Sequence, residues 1–495
     1  MNTDVTDVTA NDVIANDGRS NDGRSNDVIV TDVIVIGGGT GGYGTALRAA
    51  ALGLRVVLAE RDKVGGTCLH RGCIPSKAML HAAELVDGIA EARERWGVKA
   101  TLDSVDWSAL TATRDDIVGR NHQGVEGHLS HAGVTVVRSG ARLTGPRSVR
   151  TEDGRQFTAT RGIVLATGSR PRILPGLEPD GRTVVTSDDA LFAPGLPGSV
   201  LVLGGGAIGV EYASFHRSMG ADVTLVEAAD RLVPLEDVDV SRHLVRGLKK
   251  RGIDVLTGAR LEGAVRAPDG GGVRATVRTA RGELRTIAAE RLLVAVGRVP
   301  VTDGLGLEAA GLTVDERGFV APADWSRLET AVPGIHVVGD LLPPPSLGLA
   351  HASFAEGLLV AETLAGVASA PVDYAAVPRV TYSAPQTAAV GLTEAQARER
   401  SYDVVVNSMP LTAVAKGMVH GQGGMVKVVA ERGGRVLGVH LVGPHVSEMI
   451  AESQLIVGWD AEPADVARHV HAHPTLSEAV GEVFLTLAGR GLHQQ

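Results

Sequence analysis

The sequence predicts an α/β protein with two Rossmann-like nucleotide-binding domains, because one local pattern occurs twice in its 495 residues. In each copy an apolar stretch typical of a buried parallel strand leads into a glycine-rich turn, a helical stretch, a second apolar stretch and an acidic residue. The acidic residue lies 23 positions after the first glycine in both copies. A single glycine-rich turn is weak evidence, but two copies at identical spacing indicate two nucleotide sites.

In the first copy, Gly37, Gly39 and Gly42 fit the GxGxxG pattern, and Glu60 ends the second strand. The first glycine allows a tight turn, the second lets the backbone approach a pyrophosphate, and the third lets helix and strand pack closely. The phosphates meet the helix N-terminus, and the acid accepts hydrogen bonds from ribose hydroxyls. This segment therefore predicts a dinucleotide site.

In the second copy, Gly204, Gly206 and Gly209 take the same places, and Glu227 is the acid. A carboxylate at this position repels a 2′-phosphate, and no arginine cluster follows it. The second site is therefore expected to take NAD rather than NADP. The first site adjoins the cysteines and is expected to hold the redox cofactor.

The chain has two cysteines, Cys68 and Cys73, and both lie just after the first nucleotide unit. A disulfide between them would close a very short loop and add little stability, and a chain of this length buries a large core without one. The pair therefore indicates a disulfide that cycles. A zinc site needs more ligands than the nearby His70 supplies, so we expect no metal.

Composition excludes several classes of protein. The net charge is −9 and no block is rich in lysine and arginine, so nucleic acid is not an expected partner. We find no apolar run of about 18 residues that would span a membrane. The N-terminus lacks a basic region followed by an apolar core, so we expect no secretory signal and a cytoplasmic location.

Residues 1–27 differ from the rest of the chain. Asn-Asp-Gly-Arg-Ser occurs there twice in tandem, at 16–20 and 21–25, and large apolar residues are few. Such a segment cannot bury enough surface to offset the entropy of ordering. We expect a disordered extension without a catalytic part.

The order of these pieces resembles the pyridine nucleotide–disulfide oxidoreductases, and within that family most closely the dihydrolipoamide dehydrogenases. The resemblance runs from about Asp32 to Glu478. Five further stretches are similar to family motifs, and they lie at 166–171, 296–298, 335–340, 349–352 and 471–478. Taken alone, each would be read as an ordinary turn or surface segment, and only their order along one chain gives them weight.

The resemblance implies FAD in the first site and NAD in the second. It implies that Asp340 hydrogen-bonds the ribitol of FAD, and that Lys77 and Glu211 pair beside the flavin ring. The remaining positions that match cofactor-contacting motifs are Thr167, Gly168, Gly297 and Ala350.

Roles for the thiols come from the residues and from the resemblance together. Cys73 precedes a helix-like stretch, and a thiolate near a helix N-terminus is stabilised by the dipole and by free N–H groups. Cys73 is thus expected to be the thiolate beside the flavin, and Cys68 the thiol that exchanges with substrate. Thiol–disulfide exchange also needs a base, and His473 held by Glu478 fits that role, with His471 in support.

The resemblance implies an NAD-dependent enzyme that oxidises protein-bound dihydrolipoyl groups. It also implies a homodimer with shared active sites, and lipoyl domains of 2-oxoacid dehydrogenase or glycine-cleavage complexes as partners. Two alternatives stay open: a reductase of another small disulfide of the glutathione or mycothione type, and a flavoprotein subunit without catalysis. Mercuric and large thioredoxin reductases are disfavoured, because no thiol follows Cys73.

The resemblance also divides the chain into domains. We expect an FAD-binding domain at 28–172, an NAD-binding domain at 173–298, a central domain completing the FAD site at 299–372, and an α+β interface domain at 373–495. Two departures bear on substrate choice. Gln386 stands where the family usually has glutamate, and the run Pro343–Pro345 follows Asp340.

Overall fold

The first unit of the computed structural model, which describes residues 28–267 and 270–494, is a parallel sheet covered by helices. Its elements are β1 (Val28–Ile36), α1 (Thr40–Ala51), β2 (Val56–Glu60), α2 (Gly66–His70), α3 (Cys73–Arg95), α4 (Trp107–His131), β3 (Thr135–Arg138), β4 (Ala141–Gly145), β5 (Ser148–Thr151) and β6 (Gln156–Leu165). The order is β3-β2-β1-β6-β5-β4, and the first four strands are parallel. Both faces of the central strands are covered, so Val33–Val35 and Ile163–Leu165 have no exposed surface.

A two-stranded antiparallel ribbon connects the first unit to the second. It consists of β7 (Ser169–Pro171), on which the chain leaves the first unit, and of the later strand Arg298–Pro300, on which the chain returns. The Arg172 N–H donates to the Gly297 carbonyl at 3.0 Å and extends the ribbon by one residue pair. The whole second unit therefore lies between two neighbouring strands.

The second unit repeats the parallel sheet. Its elements are β8 (Val184–Val185), α5 (Ser187–Leu191), β9 (Ser199–Leu203), α6 (Ala207–Ser218), β10 (Asp222–Val226), α7 (Val238–Lys250), β11 (Asp254–Leu256), β12 (Arg260–Arg266), β13 (Val273–Arg278), β14 (Leu284–Ala289) and β15 (Arg291–Val294), and the returning ribbon strand is β16 (Arg298–Pro300). The parallel order is β11-β10-β9-β15-β8, and β12, β13 and β14 form a separate antiparallel sheet. This architecture confirms the prediction of two Rossmann-like units.

After β16 the chain returns to the first sheet. Strand β17 (Ile335–Val337) pairs in parallel with β6, and α8 (Ala350–Ala365) packs against α1. Short 3-10 turns lie at Leu307–Ala310, Gly339–Leu341, Tyr374–Ala376 and Leu411–Ala413. The segment that was expected to complete the first site therefore does add a strand to that sheet.

The C-terminal unit is an antiparallel sheet with helices packed on it. Its elements are β18 (Arg379–Thr381), β19 (Gln386–Gly391), α9 (Glu394–Glu399), β20 (Val404–Pro410), α10 (Ala415–His420), β21 (Met425–Glu431), β22 (Val436–Gly443), α11 (Val446–Gly458), α12 (Pro463–Val466) and α13 (Glu478–Leu487). The order is β18-β19-β22-β21-β20, and α11 and α13 cover an apolar core. The predicted α+β class of this region is confirmed.

The structure does not test two expectations from the sequence. The predicted extension 1–27 lies outside the described residues, and the domain limits given above stay predictions. Among the described helices, none is long and apolar enough to cross a membrane.

Candidate active site

Each glycine of the first turn has its own structural reason. Gly37 has a φ of +104°, which favours glycine, and a Cβ there would lie 2.3 Å from the Ala166 carbonyl oxygen. A Cβ on Gly42 would lie 1.8 Å from the Gly37 carbonyl oxygen, so α1 packs on the turn only without a side chain. A Cβ on Gly39 would meet no described atom within 4 Å. The second glycine therefore presents bare backbone at the start of α1.

The second turn has the same geometry. Gly204 has a φ of +110°, and its Cβ would lie 2.2 Å from the Ala295 carbonyl oxygen. A Cβ on Gly209 would lie 1.8 Å from the Gly204 carbonyl oxygen, while one on Gly206 would have no neighbour within 4 Å in the described part of the chain. Both turns thus have the tight first glycine, the open second glycine and the packed third glycine that a pyrophosphate cradle requires.

The acid that follows each turn is held by backbone amides. Glu60 Oε2 accepts the Gly38 N–H at 2.6 Å, and Glu227 Oε2 accepts the Gly205 N–H at 2.5 Å. The other oxygen of each carboxylate accepts the N–H group two residues further along the chain. A carboxylate has about four acceptor sites, so both acids keep capacity for ribose hydroxyls. The orientation of each acid is therefore fixed before a nucleotide binds.

Asp340 lies where the ribbon meets the end of β17. Its Oδ2 accepts the Ser169 hydroxyl at 2.5 Å, and Arg298 Nε lies 4.0 Å from the same oxygen and donates to Ser169 at 2.7 Å. Burial raises the pKa of Asp340, against the opposing effects of Ser169 and Arg298. The role of Asp340 toward the ribitol stays a prediction, and the structure places it against the ribbon between the two units.

Three other positions of the family-like motifs lie next to the ribbon of β7 and β16. Thr167 Oγ1 donates to the Val301 carbonyl at 2.6 Å. Gly168 and Gly297 have φ values of +71° and +107°, and a Cβ on either would meet none of the described atoms within 4 Å. Ala350 is the first residue of α8. Gly168 and Gly297 thus present bare backbone just after β6 and β15, at the strand ends where ligands of such sheets bind.

The two cysteines lie on consecutive helices. Cys68 is in α2, and Cys73 is the first residue of the 23-residue helix α3. Both thiols are unbridged in this structure. The helix start predicted from the sequence at Cys73 is therefore present. The free N–H groups of the first turn of α3 lie at the same end of the helix as the Cys73 sulfur.

The thiols differ in acidity. A hydrogen bond from Cys68, together with the Lys77 ammonium, lowers the pKa of Cys73 to about 7 against the opposing effect of burial. The same hydrogen bond and burial raise the pKa of Cys68. Of the two thiols, Cys73 is therefore the one that loses its proton at the lower pH.

A cation stands beside this thiolate. Lys77 Nζ lies 2.9 Å from Glu211 Oε2 and 4.5 Å from the centre of the Tyr382 ring. Burial alone would lower the pKa of Lys77, but Glu211 and Cys73 raise it, so the amine stays charged. The Tyr382 N–H donates to Glu211 Oε1 at 2.9 Å and fixes the second oxygen of the carboxylate.

His473 and Glu478 form the expected pair. His473 Nδ1 lies 2.7 Å from Glu478 Oε1, and Glu478 Oε2 accepts the Thr475 N–H at 2.7 Å. The Thr475 N–H and then His473 lower the pKa of Glu478. Because the carboxylate engages Nδ1, the free Nε2 is the atom that can take a proton. His471 makes a parallel pair, with Nε2 2.7 Å from Glu452 Oε1.

The structure brings some of the predicted residues together and leaves others apart. The thiols, Lys77 and Glu211 form one cluster. The side chain of His473 is 73% exposed, and its only hydrogen bond among the described residues is with Glu478. Within the described residues, no hydrogen bond joins the predicted base to either of the predicted thiols.

Two residues of the site had no sequence signal. Tyr382 comes from the C-terminal unit and closes over Lys77 and Glu211. Glu356 has no exposed surface; its oxygens accept the Gly339 N–H at 2.6 Å, the Ser346 hydroxyl at 2.8 Å and the Tyr374 hydroxyl at 3.1 Å. In the sequence, Glu356 is one of two acids in a largely apolar helix, and the structure shows that it anchors the turn bearing Asp340.

The two departures from the family pattern have structural contacts. The proline run leads into Ser346, which donates to the buried Glu356 as described. Gln386 Oε1 accepts the Ser447 N–H at 3.2 Å and ties β19 to the start of α11. Neither position contacts the thiol cluster through a hydrogen bond recorded within the described residues.

The donor sets fit dinucleotides rather than a metal ion. Both cradles leave the second glycine bare and hold an acid at the ribose position, which is the arrangement that FAD and NAD need. Among the described residues, no group of three or more histidine, cysteine or acidic side chains could hold a metal ion.

Comparison with known families covers most of the chain. The family model described as pyridine nucleotide-disulphide oxidoreductase matches residues 31–357, and the model of its dimerisation domain matches residues 377–484. The thiol cluster lies in the first match, and His473 and Glu478 lie in the second.

Individual relatives agree with the family match. The dihydrolipoyl dehydrogenase of Bacillus subtilis is 40% identical over 474 residues, which is 92% of this chain and 98% of the relative. That of Thermus scotoductus is 41% identical over 464 residues, covering 93% of this chain and 97% of the relative. The crystal structure of LpdA from Mycobacterium tuberculosis superposes with a TM-score of 0.83 at 26% identity, covering 92% and 99% of the two chains.

Replacing Lys77 should make the Cys73 thiol less acidic. The substitution Lys77→Met removes the cation that stabilises the thiolate and leaves the Glu211 carboxylate to oppose it. The pH midpoint for alkylation of Cys73 by iodoacetamide, followed in the dithiol form by peptide mapping, should rise by about one pH unit or more. Lys99→Met, at an exposed lysine beyond α3, should leave the midpoint unchanged. An unchanged midpoint in folded Lys77→Met would show that the ammonium does not act on this thiol.

Proposed function

The chain belongs to the pyridine nucleotide-disulphide oxidoreductases, and we propose that within this family it is a dihydrolipoyl dehydrogenase, which oxidises dihydrolipoyl groups and reduces NAD⁺. The observation that carries the proposal is the acidic Cys73 thiol, which starts α3 next to Lys77 and Glu211 and has Cys68 as its partner. A dithiol substrate needs this asymmetry. One sulfur must be attacked, and the other must leave as a stable thiolate.

The exchange begins from the oxidised Cys68–Cys73 pair. A substrate thiolate attacks the Cys68 sulfur, the bond to Cys73 breaks, and Cys73 leaves with the electron pair as a thiolate. The second substrate thiolate then attacks the mixed disulfide at the substrate sulfur, which closes the substrate disulfide and releases Cys68. Attack at Cys68 is favoured because the leaving thiol with the lower pKa departs faster.

The protons need a carrier near pH 7. We assign it to His473, whose Nε2 takes the proton of the substrate thiol and returns it to Cys68 as that thiol leaves. Glu478 fixes the tautomer by engaging Nδ1, and it stabilises the imidazolium that forms. His471 and Glu452 hold the segment on which His473 lies.

The electron pair held by the cysteines then leaves the site, and the disulfide forms again. When bound, FAD supplies the two-electron relay between the dithiol and NAD⁺. We assign the binding of FAD to the glycines of the first cradle together with Glu60, Thr167, Gly168, Asp340 and Ala350. Lys77 and Glu211 keep a cation beside the thiolate, and the second cradle with Glu227 and Gly297 binds the nicotinamide nucleotide.

The substrate assignment follows the relatives that are dihydrolipoyl dehydrogenases. We propose lipoyl groups carried by the lipoyl domains of 2-oxoacid dehydrogenase or glycine-cleavage complexes as the physiological substrate, oxidised in the cytoplasm. The glutathione-type alternative uses NADPH, which the Glu227 carboxylate opposes. The experiment that separates them compares turnover of dihydrolipoamide with NAD⁺ against turnover of glutathione disulfide with NADPH.

The match to the dimerisation domain indicates a homodimer. The same unit exposes large apolar side chains, with Trp459 75% and Val470 97% accessible, which is the kind of surface that a partner covers. We propose that the two subunits share their active sites. The thiols of one subunit then work with His473 of the partner subunit, which accounts for the exposure of His473 in the single chain.

Each cysteine should be indispensable for turnover. Cys68→Ser and Cys73→Ser should each abolish oxidation of dihydrolipoamide, because neither can form the internal disulfide, while FAD stays bound. Turnover and flavin absorbance measure the two effects. In the wild-type holoenzyme reduced by NADH, alkylation should label Cys68 faster although Cys73 is the more acidic thiol, because Cys73 is expected to lie against the flavin. Near-normal turnover in either variant would refute the exchange mechanism.

Glu227 should select NAD⁺ over NADP⁺. A 2′-phosphate loses the hydroxyl contacts and meets a nearby carboxylate, which costs on the order of a few kcal/mol, or about a hundredfold or more in kcat/KM. Glu227→Gln should narrow this preference by removing the repulsion. Asp222→Asn removes a carboxylate that is 93% exposed at the start of β10, the strand that precedes Glu227, and should leave the preference for NAD⁺ unchanged. Equal kcat/KM values with NAD⁺ and NADP⁺ in the wild-type enzyme would contradict this prediction and would favour the glutathione-type alternative.

Mixed dimers test whether active sites are shared. Cys73→Ser and His473→Ala chains should each be inactive alone. Mixed at equal amounts and re-paired at random, about half the dimers contain one chain of each kind, and each has one intact site of two, so about a quarter of wild-type activity should return. Mixtures that dimerise and bind FAD but regain no activity would show that His473 does not act across the interface.

A further inference from the structure

A lysine is buried between the second unit and the C-terminal unit, among three carboxylates. The side chain of Lys427, on β21, is 2% exposed. Its Nζ lies 2.9 Å from Asp237, 2.7 Å from Asp239 and 3.0 Å from Glu394. An ammonium has three N–H donors, so all of them are used. We call these four residues the lysine cluster.

The lysine cluster joins elements that are far apart in sequence. Asp237 is the N-cap of α7, where its Oδ1 accepts the Asp239 N–H at 3.0 Å. Its Oδ2 accepts the N–H of Glu394, at the start of α9, at 3.1 Å. Asp237 therefore binds the C-terminal unit through both its oxygens while it starts a helix of the second unit.

A second buried ion pair joins the same two units next to the lysine cluster. Arg379, on β18, donates to Glu236, the residue before Asp237, through Nε at 2.9 Å and Nη2 at 3.2 Å. Both side chains are largely buried. Two consecutive acids of the second unit are thus fixed by two cations of the C-terminal unit.

These two consecutive acids, Glu236 and Asp237, lie at the end of a loop that starts after Glu227, the acid of the second nucleotide site. Residues 228–236, the covering loop, run from Glu227 to Asp237. The Val233 N–H donates to the Gly205 carbonyl at 2.8 Å, and Leu232 is fully buried against Gly205, where a Cβ would lie 2.5 Å from its Cδ2. Gly205 in turn donates to Glu227. The covering loop therefore links the glycine turn and its acid to the lysine cluster.

The conformation of the covering loop is not one that its sequence favours. Val233 has a φ of +40°, which a β-branched residue adopts only when its surroundings impose it. The Ser241 hydroxyl donates to the Leu232 carbonyl at 2.7 Å and ties the loop to α7. Contacts at both ends of the loop therefore have to maintain its shape.

We propose that Lys427 is a positioning residue for the nicotinamide nucleotide: by holding Asp237 and Asp239, it fixes the covering loop against Gly205 and so keeps Glu227 oriented toward the adenosine ribose. The C-terminal unit then sets nucleotide affinity in addition to forming the dimer. The inference rests on the proposed function only in assigning NAD to the second cradle.

The substitution Lys427→Met keeps the length of the side chain but removes the charge. Asp237 then loses its ion-pair partner, while Asp239 and Glu394 keep only their pairs with the exposed Arg242 and Arg398. The contact between the two units should therefore shift, and the covering loop should lose its anchor. The KM for NAD⁺ should rise about tenfold, while the KM for dihydrolipoamide and the FAD content stay within about twofold of the wild-type values. Arg432→Met, which removes an exposed ion pair with Asp403 next to the same strand, should change neither KM.

Binding of NAD⁺ to the oxidised holoenzyme without substrate, measured by calorimetry, tests the inference independently of the thiol substrate, because NAD⁺ cannot reduce the oxidised enzyme. The milder variant Asp239→Asn removes one carboxylate that is partly exposed and should weaken NAD⁺ binding in the same direction. This variant decides the matter if Lys427→Met fails to fold. Wild-type NAD⁺ affinity in every variant that folds would overturn the inference and leave the lysine cluster a purely structural contact, whatever substrate the enzyme oxidises.

Discussion

The ion pair between Lys77 and Glu211 is the interaction on which the rest of the site depends. It joins α3, which starts at the acidic thiol, to α6, which starts at the second glycine turn. The Tyr382 backbone brings the C-terminal unit to the same carboxylate. Three units of the chain therefore meet at one charge pair, and the thiol that needs a neighbouring cation is the first residue of one of the joined helices.

The parts of the site that the sequence predicted are those with local geometry. A GxGxxG turn works through its own backbone, and both turns have the predicted geometry at Gly37, Gly39 and Gly42 and at their counterparts in the second unit. The helix start at Cys73 and the pair of His473 with Glu478 are also set by residues within five positions of each other. Such features need no knowledge of the tertiary structure.

The parts that the sequence did not predict depend on contacts between distant segments. Lys427 is the one charged residue within a run of apolar residues on β21, and only the packing of α7 and α9 against the C-terminal sheet places carboxylates around it. Tyr382 lies in a loop without periodicity, and Glu356 is one of two acids in a largely apolar helix. The roles of Asp340, Thr167 and Ala350 toward a cofactor, and the limits of the domains, stay predictions, because their evidence is resemblance rather than geometry.

The ribbon of β7 and β16 has a consequence for how such a protein can evolve. The second unit begins and ends on two paired strands, so its two connections to the first unit lie about one strand spacing apart, or ~4.8 Å. A unit with adjacent ends is a self-contained insertion, which a host fold can gain, lose or exchange without rerouting its own chain. Nucleotide preference could then change by replacement of the whole insert, provided that the new insert supplies a carboxylate to Lys77 and acidic residues to Lys427 and Arg379.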